Sequence, residues 1–260
     1  MTKELMPVVF FGHGNPMYAI EPNVYTDGWA QLAATLPRPR AILCISAHWY
    51  TQGTSVTAMP QPRTIHDFGR FPQALFDVQY PAPGAPALAA RVCDLLKPDK
   101  ISMDTQWGLD HGTWSVLVHA YPQADIPVIQ LSIDATKPNA FHYELGQRLA
   151  ALRDEGVLII GSGNVVHNLS LAKWQNDDPA PYDWATRFNA QVRDFVLQGN
   201  HAPLIDYMDL GEPAHLSVPT PDHYLPLLYV LGAMRDSDKI TFPVDGIDMG
   251  SLSMLSILAR

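Results

Sequence analysis

The chain has 260 residues, of which 47% are hydrophobic, and a formal net charge of −9; this length suits one domain with a large core. The acidic balance, without a stripe of lysine and arginine, argues against a nucleic-acid partner, because neutralising phosphates requires clustered basic groups. The longest apolar runs, about eight residues, are too short to span a membrane, and the isolated Cys44 and Cys93 favour the reducing cytoplasm.

The predicted elements alternate between strands and helices along the chain. Short, nearly continuous apolar runs predict buried strands at 7–11, 41–46, 126–134 and 157–163. Helical spacing predicts helices around 29–36, 86–96, 141–156, 184–199 and 223–234. No linker or repeat interrupts this order, so we expect a single α/β domain over residues 1–260, with a largely parallel central sheet and helices on both faces.

The first predicted strand runs into GHG, which places His13 between Gly12 and Gly14. A histidine that fills a gap in a core needs no flanking glycines, whereas one that meets a closely approaching partner does. His48 follows the second strand, and His167 lies just beyond the glycine turn after the strand at 157–163. Because ligands of such sheets bind beyond the carboxyl ends of the strands, we expect these three imidazoles at one edge.

Two further histidines have comparable settings. His111 precedes a glycine in DHGTW, and His223 stands where a helix is predicted to begin, a position at which the helix dipole favours a neutral ring. Neutral imidazoles suit Zn, Fe or Cu better than Mg or Ca, and three protein ligands with open positions are typical of a catalytic ion. The residues therefore predict a histidine-rich divalent metal site, although a structural role, such as capping beside Asp222 for His223, is an alternative for each.

The remaining histidines divide into one candidate and four others. His66 lies in a loop, TIHDFGRFP (64–72), in which Phe68, Arg70 and Phe71 are also placed to reach a substrate. The other four are interpreted as helix-face or loop residues without a functional role: His119, His142, His201 and His215.

Several of these motifs, taken in order, resemble one known family. They are GHGNPM (12–17), SAHW (46–49), TIHDFGRFPQALF (64–76), DHGTW (110–114), SGNVVHN (162–168), PTPDHYLPLLY (219–229) and MGSLSML (249–255). They span essentially the whole chain and resemble the LigB-type class III extradiol ring-cleavage dioxygenases, most closely the DOPA 4,5-dioxygenase branch. The resemblance implies a LigB-like α/β domain with a non-haem metal at the strand ends.

The resemblance also implies roles for the histidines. His13 and His48 match two metal ligands, and His223 stands where the LigB enzymes themselves have a glutamate, which departs from the usual set of two histidines and one carboxylate. An all-histidine set leaves both Fe(II) and Zn(II) open. His167 matches an acid/base histidine and is also a candidate fourth ligand, while His111 matches a histidine that touches substrate or oxygen.

The implied reaction opens the ring of a DOPA-like catechol with O2, beside the diol, and gives a muconic semialdehyde. In this hypothesis His167 takes a proton from the catechol and His111 stabilises developing negative charge. Trp49, Tyr224 and His66 are candidate contacts of the flat substrate, with core packing as the alternative. The expected partners are the catechol and O2, without nucleic acid or membrane, and the protein is expected to be a cytoplasmic monomer or small homo-oligomer.

Two other functions stay open from the sequence. A zinc-dependent hydrolase on the same scaffold would use His167 or Asp110 as its base, although no HExxH-like pairing is present. A non-catalytic LigB-like binding module is the second alternative, and it would tolerate the loss of histidines that this chain retains.

Overall fold

The computed structural model describes residues 5–174 and 180–260. Over these ranges the strands are β1 (Val8–Gly12), β2 (Ala41–Thr51), β3 (Thr54–Thr57), β4 (Ile101–Asp104), β5 (Val128–Asp134), β6 (Val157–Gly163), β7 (Ile240–Val244), β8 (Ile247–Asp248), β9 (Leu252–Ser253) and β10 (Ser256–Ala259). The helices are α1 (Val24–Ala34), α2 (Gln73–Phe76), α3 (Pro86–Leu95), α4 (His111–Ala120), α5 (Asn139–Leu149), α6 (Ala151–Asp154), α7 (Asp183–Leu197), α8 (Ala202–Ile205), α9 (Glu212–Ser217) and α10 (Leu225–Ala233). Short 3-10 turns cover Pro16–Ala19, Leu169–Leu171 and Tyr207–Leu210.

Eight of the strands form one sheet in the order β4-β3-β5-β2-β6-β1-β10-β7. The four central strands, β5, β2, β6 and β1, are parallel to one another, and β5 and β6 are buried along their whole length, as expected for a sheet covered on both faces. This confirms the predicted α/β class. The antiparallel additions at the two ends, where β3 pairs with β5 and β10 with β1 and β7, were not predicted.

Alternate residues of the central strands contribute their side chains to two separate hydrophobic cores, one on each face of the sheet. In β1, Val8 and Phe10 belong to the cluster on one face, whereas Val9 and Phe11 belong to the cluster on the other. This follows from the two-residue repeat of a strand, which sends successive side chains to opposite faces. Both faces of β1 are therefore apolar. Among the described residues, no helix combines the length and the apolarity needed to cross a bilayer.

The helix α10 is buried on every side, from Leu225 to Ala233, and lies between α5 and the sheet. Glycines allow this close approach: a Cβ on Gly146 would lie 2.3 Å from the carbonyl oxygen of Tyr229, and one on Gly232 would lie 2.2 Å from that of Tyr143. Because α10 is held so firmly, the turn that precedes it has a fixed position above the end of β6.

The strand β2 continues past Ser46, where the sequence predicted its end. Its pairing with β6 stops at Ser46, and its register with β5 shifts between Ile45 and Tyr50. Such irregularities bend a strand and redirect its side chains. His48 lies within this irregular stretch, so its side chain is redirected at the edge of the sheet.

Candidate metal centre

The five histidines singled out from the sequence lie together at the carboxyl end of the parallel strands. His13 directly follows β1, His48 lies in the irregular part of β2, and His111 is the first residue of α4. His167 follows β6, and His223 lies in the turn before α10. Their ring centroids are 3.5–5.9 Å apart in the contacting pairs, so one small group can touch all of them.

Three of these rings form a set that can hold an ion. The ligand nitrogens of His13, His48 and His223 all lie within 4.8 Å of one another, and the Nε2 atoms of His13 and His48 are 3.2 Å apart. Burial, followed by the neighbouring imidazoles, holds the pKa of His13 and of His48 well below the usual value. Both rings are therefore neutral near pH 7, which is the form that binds metal.

The other nitrogen of two of these rings is already engaged by the protein. His13 Nδ1 lies 3.0 Å from Ser162 Oγ, and His223 Nδ1 is hydrogen-bonded to the carboxylate of Asp222. Partners of this kind fix the tautomer and the orientation of a metal-binding imidazole. They leave Nε2 of each ring as the nitrogen available for an ion.

Asp67 is a residue of the site that the sequence analysis missed. Its Oδ1 accepts the backbone N–H of His111 at 2.9 Å, and its Oδ2 lies 2.9 Å from His111 Nδ1 and 3.4 Å from His48 Nδ1. Burial opposes ionisation of Asp67, but the hydrogen bonds with His111 outweigh it and lower the pKa of the carboxyl. Asp67, His48 and His111 also form a second set of close ligand atoms, but the carboxylate is already committed to His111.

The start of α4 is held by a buried polar network. Asp110 caps the helix by accepting the N–H of Thr113 at 3.2 Å, and it also accepts hydrogen bonds from Ser46 Oγ at 2.6 Å and Gln130 Nε2 at 2.7 Å. Burial raises the pKa of the Asp110 carboxyl. This network fixes where α4 begins and, with it, the position of His111.

Glycines beside the histidines make room for the protein itself. A Cβ on Gly12 would lie 2.7 Å from the backbone of Met254, and one on Gly163 would lie 2.2 Å from the carbonyl oxygen of His223. Gly12 therefore admits the C-terminal segment of the chain, not an outside partner as the sequence suggested. Gly14 has a φ of 62° and lines the cavity described next, but it too is approached by the protein, because a Cβ there would lie 2.6 Å from Sδ of Met254.

A cavity of about 190 Å³ opens over the histidines, and all five line it. This volume is comparable with a cavity of about 150 Å³ that accepts benzene in another protein, so it suits one aromatic ring. Its other walls are Gly14, Asn15, Pro16, Phe68, Phe71, Leu169, Trp174 and Leu252. Of these, the sequence analysis had singled out Phe68 and Phe71, whereas nothing in the local pattern around Leu169 or Trp174 marked them.

His167 lies on the side of the cavity next to His223. The two rings stack with centroids 3.5 Å apart, and the backbone N–H of His167 is bonded to the carbonyl of Ser217 at 2.8 Å. Burial, followed by the interaction with the neighbouring imidazole of His223, lowers the pKa of His167 to about 2. His167 is not part of the closest set of three ligand atoms.

The three aromatic residues suggested as substrate contacts lie outside the cavity walls. Trp49 is buried and stacks on Trp107, and the hydroxyl of the buried Tyr224 donates to a backbone carbonyl. A ring nitrogen of His66 lies 3.0 Å from another backbone carbonyl. Core packing accounts for these positions, and a contact of these residues with substrate stays a prediction that the geometry does not support.

Comparison with known proteins gives consistent matches. Residues 15–249 match the family described as "Catalytic LigB subunit of aromatic ring-opening dioxygenase". A protein of Escherichia coli K12 named "4,5-DOPA dioxygenase extradiol" is 57% identical over 99% of this chain and 96% of its own length. A Beta vulgaris protein of the same name is 38% identical over 94% of this chain and 92% of its own. The crystal structure of an uncharacterized E. coli K12 protein superposes with a TM-score of 0.86 at 52% identity, covering 98% of this chain and 100% of that one.

Proposed function

The chain belongs to the LigB family of aromatic ring-opening dioxygenases, and from this we propose that it is a metal-dependent extradiol dioxygenase acting on DOPA-like catechols. The predicted family and activity are confirmed by the relatives, two of which carry the name of a DOPA extradiol dioxygenase. One observation supports the proposal above the others: three close imidazoles, two of them with strongly lowered pKa values, stand at the base of a ring-sized cavity.

The donor set fits a divalent ion. His13, His48 and His223 would hold it through Nε2, since Ser162 and Asp222 occupy Nδ1 of the first and third. When bound, the ion would lower the pKa of the catechol hydroxyls and convey electron density between ring and O2. We propose Fe(II) as the active ion and Zn(II) as a competing one, because zinc binds imidazole sites more tightly than iron.

His167 is proposed to move the proton of the substrate. Its ring is uncharged at neutral pH because its pKa is lowered to about 2, so a ring nitrogen is free to accept a hydrogen bond from a catechol hydroxyl. We therefore propose that His167 contacts the substrate. The alternative, that His167 is a metal ligand, is tested by the substitutions described below.

His111 is proposed to bind the oxygen-bearing side of the substrate. With Nδ1 directed at Asp67, Nε2 is the nitrogen left to face the cavity that His111 lines. A hydrogen bond from a positioned imidazole to developing negative charge contributes on the order of 2–4 kcal/mol. The walls formed by Phe68, Phe71 and Leu252 exclude water and hold a flat ring over the imidazoles.

The two alternative functions have less support. Asp110 is one of the two bases considered for a hydrolase. It is fully buried at the start of α4 and accepts hydrogen bonds from Ser46 and Gln130. A non-catalytic binding module would not explain why Nδ1 of both His111 and His223 is bonded to a carboxylate. These carboxylates belong to Asp67 and Asp222, respectively.

The proposal is tested by loading the chelator-treated protein anaerobically with Fe(II) or Zn(II) and adding DOPA under air. We expect oxygen uptake and a yellow ring-cleavage product with Fe(II) only. Hydrolysis of ester or amide substrates by the zinc form, without oxygen uptake by the iron form, would support the hydrolase instead.

Two substitutions separate metal binding from proton transfer. His48→Ala is expected to abolish metal uptake, because it removes one of three ligands, whereas His167→Gln keeps most of the metal and loses turnover. His215→Ala is the control, since that exposed ring is bonded to the carbonyl of Met208 away from the cavity. Metal content is measured by elemental analysis; equal metal loss in His48→Ala and His167→Gln would show that His167 is mainly a ligand.

A further inference from the structure

The C-terminal motif MGSLSML (249–255) lies against the segment that carries His167. Of these residues, all of which the structure describes, only Leu252 lines the cavity. The motif begins with a turn in which Met249 has a φ of 47° and Gly250 a φ of 74°, and the turn leads into β9. Leu252 in β9 pairs with β8 on one side and with His167 on the other. The motif therefore forms a support beneath the segment of His167.

Three hydrogen bonds join this support to the two residues that flank His167. The N–H of Ser253 donates to the carbonyl of Val166 at 2.9 Å, and the N–H of Asn168 donates to the carbonyl of Ser251 at 3.2 Å. Ser251 Oγ in turn donates to the carbonyl of Asn168 at 2.8 Å. Ser251 therefore binds both the N–H and the carbonyl of the residue directly after His167.

The end of α9 holds the same segment. The N–H of His167 donates to the carbonyl of Ser217 at 2.8 Å, and Asn168 Nδ2 donates to the carbonyl of Leu216 at 2.8 Å. Asn168 is 6% exposed and Ser251 is fully buried, so water cannot readily take the place of a lost partner. The position of the His167 ring in the cavity wall is consequently set by how firmly this backbone is held.

Resting on the proposed role of His167, we propose that Ser251 is a positioning residue for proton transfer: its hydroxyl fixes the backbone beside His167 and thereby the reach of the imidazole toward the substrate. A general base must come within about 2.6–3.2 Å of the group whose proton it takes. A misplacement of about 1 Å can lower a rate about 100-fold. Ser251 does not line the cavity, so it acts through His167 and not on the substrate.

Two buried serines of the C-terminal segment provide the test and its control. Ser251→Ala removes the hydroxyl that donates to Asn168. Ser256→Ala removes a hydroxyl in β10 that is equally buried but has no hydrogen-bond partner among the residues that the structure describes. We expect Ser251→Ala to lower kcat for DOPA about tenfold, with KM and metal content unchanged, and Ser256→Ala to leave all three unchanged.

The solvent deuterium isotope effect on kcat separates positioning from simple loss of folded protein. When the imidazole is displaced, proton transfer limits the rate more strongly, so the isotope effect should be larger in Ser251→Ala than in the unmodified protein. A smaller fraction of active enzyme would lower kcat and leave the isotope effect as it was. An unchanged isotope effect, or equal losses of kcat in Ser251→Ala and Ser256→Ala, would overturn the proposal.

A double substitution tests whether Ser251 acts through His167. Residues that act as one unit have effects that do not add. In the His167→Gln background, Ser251→Ala should therefore cause no further loss of the residual turnover. A second loss of about tenfold would show that Ser251 affects the reaction by another route and would contradict the proposal.

Amide hydrogen exchange of the Zn(II)-loaded protein, followed by NMR, gives a readout that needs no turnover. The Asn168 amide should exchange about tenfold faster or more in Ser251→Ala, because its segment opens locally more often, and at the original rate in Ser256→Ala. If no catechol causes oxygen uptake by the iron-loaded protein, the proposed function itself fails, and exchange still shows whether Ser251 holds this segment. If turnover and isotope effect stay unchanged in Ser251→Ala, the function stands and the inference about Ser251 is wrong.

Discussion

Asp67 contacts two of the site histidines, His48 and His111, through one carboxylate. One oxygen receives the backbone N–H of His111, and the other lies against Nδ1 of both His111 and His48. Because a carboxylate on Nδ1 fixes which nitrogen faces the site, Asp67 orients a proposed metal ligand and a proposed substrate contact together. It is a positioning residue, since it does not line the cavity itself.

Replacing Asp67 by asparagine should separate orientation from metal binding. Asp67→Asn keeps an oxygen for the backbone N–H of His111 but removes the negative charge beside the two rings. We expect kcat to fall about 10- to 100-fold, the usual effect of losing such a partner, while metal content stays near that of the unmodified protein. Oxygen-electrode rates and elemental analysis measure the two quantities.

The control for Asp67→Asn is Asp77→Asn, which changes an exposed carboxylate directly after the short helix α2. It should leave both rate and metal content unchanged. A full loss of metal from Asp67→Asn would instead mean that its carboxylate is a ligand within the second close set of donor atoms.

The histidines could be found from the sequence, but Asp67 could not. His13, His48 and His167 each follow or lie near a recognisable apolar strand, and strand ends in a parallel sheet converge. Asp67 comes from a loop and meets His111 across 44 residues, which no local period encodes. The same limit explains why Trp49 and Tyr224 were suggested as cavity walls: adjacency in sequence to a histidine says nothing about the direction of a side chain.

Among the elements, α4 shows how a helix start positions a site. His111 is its first residue, and Gly112 follows against the irregular part of β2: a Cβ there would lie 2.5 Å from Ser46 Oγ and 2.8 Å from His48 Cδ2. The glycine thus permits His48 to stand directly over the first turn. Any residue other than glycine at position 112 would prevent this close approach of α4 to β2.

Gly112→Ala is expected to weaken metal binding by about tenfold or more, because the added methyl displaces His48. In an unobstructed helix, replacing glycine by alanine stabilises the helix by up to about 1 kcal/mol. A loss of metal affinity in this variant would therefore identify the steric contact with His48. Zinc affinity measured by competition with a coloured chelator checks the expectation. Gly69→Ala is the matched control, since a Cβ on Gly69 meets nothing within 4 Å; similar affinities for the two variants would refute the steric argument.

The elements that the sequence predicted are those with long apolar runs. The central strands and α3, α5, α7 and α10 were expected at nearly their observed places. The sequence analysis missed β3 and β4, which are short, and β4 is half exposed, so neither presents a continuous apolar run. The helix α4 was not predicted either, although Asp110 before an apolar run is a signal for a helix start.

At the scale of the whole molecule, the sheet places two apolar cores on its faces and neutral histidines at its edge. Burial lowers the pKa of His13, His48 and His167, and lowers that of His142, in the core, to about 4. Unfolding returns such rings to water, where the pKa is near 6.5. The unfolded state then binds protons that the folded state does not, so acid favours unfolding.

We therefore expect the metal-free protein to lose stability as the pH falls from 7.5 to 5.5. Each buried neutral histidine should lower the free energy of unfolding by about 1 kcal/mol over this interval. The buried carboxyl of Asp110, whose pKa is raised, acts in the opposite direction. Urea unfolding at the two pH values in the presence of chelator measures the net change in the free energy of unfolding. A free energy of unfolding that is unchanged or larger at pH 5.5 would contradict this expectation.

The pairing of β10 with β1, together with Leu252 in the cavity wall, has a consequence for biosynthesis. On the ribosome His13 and β1 emerge early, whereas the strand that flanks β1 and the segment that packs against Gly12 emerge much later. Until then the nascent chain exposes an unpaired edge beside the first of its proposed metal ligands. Metal loading should accordingly follow the synthesis of β10, and ribosome-stalled chains that lack β10 should capture the ion poorly.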